Sequence, residues 1–147
     1  MRLYLSADIE GTCGIADWAE TERATMDDYR PFAAQMTAEV AAACEGAVAA
    51  GAEDILVKDA HDSARNIDPT QLPAQTRILR GWTGDPLSMM AGLDAGHFGA
   101  VLFTGYHAWA ACPGCGSCWP AARVGSTCPR RCTAISSATG STGRGGI

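Results

Sequence analysis

Two carboxylates two residues apart, Asp8 and Glu10, close an apolar run at the start of the chain, and two histidines, His61 and His107, each stand just past another such run. Residues i and i+2 of a strand point to the same face, so Asp8 and Glu10 aim at one place while the strand continues. Two carboxylates so placed repel each other unless a cation or a proton lies between them. Two carboxylates and two imidazoles converging from three strand ends are hard and borderline donors, a set that suits zinc or a similar divalent metal. Asp59, two residues before His61, is a candidate to orient that imidazole, as partners of metal-bound histidines do, and equally a candidate surface acid. Residue types and spacing leave the plainer reading open: a strand-end acid also serves as a helix cap, and a histidine after a strand as a satisfied polar group.

The elements that must position these groups are readable. Arg2 to Asp8 is rich in strand formers and ends before Gly11. A helix is expected over 28–50, because Phe32, Met36, Val40, Ala43 and Ala47 recur on one face. Pro31 is expected in its first turn, where a missing N–H costs little, and Gly51 as its stop. Thr21 to Tyr29 reads as loop. Strands are expected over 54–58, 76–80 and 100–104, the last of them buried. A helix capped by Asp85 is expected over 86–93. Strands alternating with helices predict an α/β layered fold with a largely parallel sheet and flanking helices. Ligands in such sheets gather at the carboxyl ends of the strands, where the four candidates lie. Trp82, Met89 and Met90 are expected in the core, and Cys13 and Cys44 as ordinary small apolar residues. The four glycines from Gly92 to Gly105 form no G-x-G-x-x-G pattern, so no dinucleotide fingerprint is present.

Composition bounds the function classes. The chain has 147 residues, 47% of them hydrophobic and 18% charged, enough for one domain with a core. A formal net charge of -5 gives no reason to expect nucleic acid as a partner. No apolar run approaches the roughly 18 residues that span a bilayer, and acids appear by position 8, so neither a membrane span nor a signal peptide is expected and the default location is cytoplasmic. The average hides a change of character near Trp109. All 16 acids lie between Asp8 and Asp94, whereas the residues after Trp109 hold Arg123, Arg130, Arg131 and Arg144 with no acid and no lysine. The same tail has only Val124, Ile135 and Ile147 as large aliphatic residues, so 109–147 is expected to be irregular, unable to bury enough area to offset its ordering entropy.

Ser6-Ala-Asp8-Ile-Glu10-Gly-Thr12, Val57-Lys-Asp-Ala-His61-Asp-Ser63 and Gly105-Tyr-His107-Ala108 together resemble the motifs of the bacterial D-aminopeptidase family, zinc peptidases related to the D-aminopeptidase of a dipeptide-transport operon. The similarity runs over 1–108, the N-terminal part of that family's α/β domain. It implies two zinc ions, with Asp8 bridging them, Glu10 holding one, and His61 with His107 holding the other. It implies hydrolysis of short peptides with an N-terminal D-residue, D-Ala-D-Ala among them, and a ring-shaped homo-oligomer. Paired metals polarise a scissile carbonyl and lower the pKa of a coordinated water, which agrees with the ligand set.

The tail departs from the family. The resemblance implies a further catalytic histidine eleven residues beyond His107, and position 118 is Cys118; it implies a second glutamate ligand downstream, and the tail has no acid. A change of reading frame near Trp109 accounts for both, so the chain is expected to be a truncated, impaired enzyme. The alternatives are an inactive remnant and a Cys-rich metal-binding protein using Cys112, Cys115, Cys118, Cys128 and Cys132. Paired thiolates suit zinc, although the spacing lacks a second C-x2-C.

Overall fold

The computed structural model describes residues 1–107. The expectations for 109–147, the frame change, the irregular tail and the cysteine cluster, lie outside the described residues. Four strands, β1 (Arg2–Ala7), β2 (Asp54–Asp59), β3 (Thr76–Leu79) and β4 (Ala100–Thr104), form one sheet in the order β3-β2-β1-β4. Every neighbouring pair is parallel. One long helix, α1 (Met26–Ala49), joins β1 to β2. The architecture is the α/β layering expected from the alternation of elements.

Strand alternation separates two faces. Leu3, Leu5 and Ala7 of β1, Ile9 beyond it, and Ile55 and Val57 of β2 form the core with Met36, Val40, Cys44 and Ala47 of α1. Thr37 is also buried on that helix. On the other face the Tyr4 hydroxyl donates to Ala91 O at 2.9 Å and the Ser6 hydroxyl to Met89 O at 2.8 Å. A segment with little regular structure of its own is thereby tied across the sheet.

The helix starts earlier than the pattern implied, so residues 26–29 of the expected loop are helical and Pro31 lies in the second turn. It ends as expected. Gly51 takes φ +93°, Gly51 N donates to Val48 O at 2.9 Å, and Ala52 N donates to Ala47 O at 2.9 Å, the paired bonds of a Schellman motif. A Cβ on Gly51 would meet nothing within 4 Å, so Gly51→Ala should cost only the backbone strain, about 1 kcal/mol, read as a small drop in the urea midpoint.

Several expectations are corrected. The helix expected over 86–93 is a single 3-10 turn, Ser88–Met90. Asp85 does not cap it: its carboxylate accepts from Leu87 N at 2.8 Å and Gly92 N at 3.0 Å, on either side of the turn, and positive φ at Ser88 (51°) and Gly92 (82°) stops propagation. β4 is not buried: it is an outer strand of the described sheet, with Val101 40%, Leu102 37% and Phe103 56% exposed. Trp82 is not core but 48% exposed, and Cys13 is exposed while Cys44 is buried.

Candidate metal centre

The chain runs from β1 outward to β2 and β3, then returns to the opposite side of β1 for β4. The strand order reverses at β1, and the carboxyl ends at such a switch are where open α/β sheets place ligands. Asp8 and Glu10 leave the end of β1, His61 leaves β2, and His107 leaves β4.

Three of these four residues meet. One ligand atom each from Asp8, Glu10 and His61 lies within 4.8 Å of the others. His61 Nδ1 is 3.2 Å from Asp8 Oδ1 and 3.2 Å from Glu10 Oε2. Donors about 2.05 Å from a tetrahedral zinc stand about 3.3 Å from each other, so this spacing fits that ion. Glu10 Oε2 is buried, and its approach to His61 does not make a hydrogen bond, so it has no hydrogen-bond partner among the described residues. A buried carboxylate oxygen left so is costly and calls for a cation. His107 is exposed, and it stands outside this three-residue group.

The imidazole is oriented by a group that the sequence reading did not identify. His61 Nε2 lies 3.0 Å from Thr21 O. A carbonyl only accepts, so Nε2 carries the proton and Nδ1 faces the carboxylates, the tautomer a metal ligand needs. Asp59 does not touch the ring. Its carboxylate accepts from Asn66 N at 2.6 Å, Asn66 Nδ2 at 2.7 Å and Ile67 N at 2.9 Å. Asn66 Nδ2 also donates to His61 O at 2.7 Å, and Tyr29 of α1 donates to Asn66 Oδ1 at 2.7 Å. Asp59 therefore braces the backbone of the His61 loop, not the imidazole.

The electrostatics are those of a cluster short of positive charge. Burial pushes the Asp8 carboxyl above its ordinary value, against the pull of His61. Burial also opposes ionisation of Glu10, but the adjoining His61 and Asp8 side chains, with the imidazolium charge, overcome it and bring Glu10 down to about 2. Burial disfavours the His61 imidazolium, yet the two carboxylates outweigh it and raise His61 to about 10. A raised His61 beside a lowered Glu10 marks a place that favours positive charge, as a divalent cation would supply.

Comparison with known proteins identifies the family of the chain. The D-aminopeptidase of Bacillus subtilis (strain 168) is 34% identical over 114 residues, which are 78% of this chain and 40% of that protein. The solved structure of the zinc-dependent D-aminopeptidase DppA from Bacillus subtilis, a self-compartmentalizing protease, aligns with a TM-score of 0.70 and 32% identity over 77% of this chain and 40% of that one. The chain thus spans 40% of the length of these relatives. The profile of the D-aminopeptidase family matches residues 1–116, which takes in the whole described sheet and every strand end that carries a candidate ligand, and the chain belongs to that family.

Proposed function

We propose that this chain carries the metal-binding half of a zinc-dependent aminopeptidase that removes N-terminal D-residues from short peptides of the D-Ala-D-Ala type. The observation that carries this reading is the meeting of Asp8, Glu10 and His61, with a buried Glu10 oxygen that has no hydrogen-bond partner among the described residues. Asp8, Glu10 and His61 would hold zinc, with His107 as a fourth ligand; Asp8 would bridge two ions, Glu10 hold one, and the histidines the other. Zinc there would polarise the scissile carbonyl and acidify water. The chain's own residues keep the site ready for it. Thr21 O holds the proton on Nε2, and the Asp59–Asn66 pair fixes the loop that presents the ring.

The relative's self-compartmentalizing nature supports a homo-oligomer, and the exposed side chains of β4 offer apolar surface for association. No helix among the described residues is long and apolar enough to cross a membrane, and the proposed location is the cytoplasm.

Zinc content and D-Ala-D-Ala cleavage by the purified chain test the reading. Bound zinc with weak turnover is expected, because Cys118 stands where the resemblance implies a catalytic histidine. Near-normal turnover would overturn the impairment, and absence of zinc would leave a remnant without enzymatic role. Zinc retained after Asp8→Ala and His61→Ala together would move the metal to the cysteines beyond 107.

A further inference from the structure

Lys58 is wholly buried on β2, yet no carboxylate of the described residues lies within ion-pairing distance of it. Its Nζ donates to Gly81 O at 2.9 Å and sits 4.4 Å from the centroid of the Trp82 ring. An ammonium has three donors, and one carbonyl with one π face leaves it under-compensated. The neighbouring Asp59 carboxylate is committed to Asn66 and Ile67. Burial accordingly pulls the Lys58 amine below its ordinary value. A buried cation without a paired anion is costly, and such groups cluster where a ligand completes them.

Its position gives that cost a use. Lys58 registers with Leu79 of β3, and Gly81 lies two residues beyond, so the ammonium reaches toward the carboxyl end of the sheet. On the other side Lys58 registers with Ser6, two residues before Asp8. With about 3.3 Å rise per residue and about 4.8 Å between strands, the Lys58 and Asp8 backbones stand about 8 Å apart. The ammonium reaches past β3, away from β1, so its gap to the cluster takes at least two to three residues of extended peptide, at about 3.5 Å each. The Trp82 indole N–H donates to Asp62 O at 2.6 Å, beside His61, so one exposed ring spans both the ammonium and the metal loop.

We propose that Lys58, covered by Trp82, forms the subsite for the free α-carboxylate of a short peptide whose N-terminal residue lies at the Asp8–Glu10–His61 cluster. This rests on the peptidase reading and names what limits its substrates: a nearby free C-terminus. The indole must swing off the ammonium for the carboxylate to enter, and the hydrogen bond to Asp62 O is the contact that gives way.

The test uses the zinc-loaded chain and two probes, a non-cleavable D-alanyl-D-alanine isostere and its C-terminal amide, with affinities from calorimetry and zinc content measured in parallel. The acid should bind tighter than the amide by roughly tenfold to a hundredfold, the range of one charge-assisted hydrogen bond. Lys58→Met should bring that ratio close to one with zinc content unchanged. Equal affinities in the unaltered chain, binding of neither probe, or an unchanged ratio in Lys58→Met would each overturn the proposal. If Lys58→Met fails to fold, the acid-to-amide ratio of the unaltered chain still decides. Failure of the peptidase reading shows separately, as absence of zinc.

Discussion

Replacing His61 by Ala should lower zinc affinity by at least about a hundredfold while leaving the fold intact. Changing groups that only touch a ligand costs about tenfold to a hundredfold, and His61 is a ligand candidate whose Nδ1 stands 3.2 Å from both carboxylates. The loss comes from two sources. The imidazole nitrogen disappears from the donor set, and the carboxylates lose the only described residue that offsets their repulsion. A proton count gives a second readout. Without metal, Nδ1 between two carboxylates is protonated up to about pH 10, so binding zinc near neutrality must expel that proton. The sign follows: a proton competes with the metal, so zinc affinity rises with pH, about tenfold per unit for each proton displaced. His61→Ala should therefore release about one proton fewer, measured by calorimetry in buffers of different ionisation heat. Affinity within threefold of the unaltered chain, or unchanged proton release, would remove His61 from the site.

The ends of β1 and β2 were legible because their apolar runs stop abruptly at the chemically active residues, and a strand that stops must stop at one end of the sheet. Asp8 and Glu10 were legible as a pair because period-two geometry is local. What the sequence concealed lies in contacts between distant segments. The group that sets the His61 tautomer is a backbone carbonyl, and every residue has one, so Thr21 carries no signal. Asp59 looked like a partner for the nearby His61 ring, but loop closure handed it to Asn66 instead. β4 reads as buried because its residues are apolar, yet burial is decided by strand order, and it stands at an outer edge of the described sheet. The segment over 86–93 has the composition of a helix, and the positive φ at Ser88 that breaks it belongs to its docking against Tyr4 and Ser6.

Gly105→Ala should destabilise the chain by more than about 3 kcal/mol, well beyond the cost at Gly51, although both glycines have positive φ. The difference is space. A Cβ on Gly51 meets nothing within 4 Å, whereas a Cβ on Gly105 would overlap the carbonyl oxygen of Asp8, far inside van der Waals contact. That oxygen cannot move aside, because the two segments are bonded on both sides of it: Asp8 N donates to Thr104 O at 2.9 Å and Gly11 N to Gly105 O at 2.7 Å. Gly11 is held from the opposite side, since a Cβ there would lie 2.5 Å from Tyr106 O. Two glycines thus let the turn after β1 and the turn after β4 touch backbone to backbone. This contact sets how closely the segment that ends in His107 can approach Asp8 and Glu10. Urea unfolding of Gly51→Ala and Gly105→Ala side by side separates φ strain, common to both, from the steric clash, present only at Gly105. A Gly105→Ala cost no larger than that of Gly51→Ala would mean that the two turns can part, and the close approach would then not be what positions the segment that ends in His107.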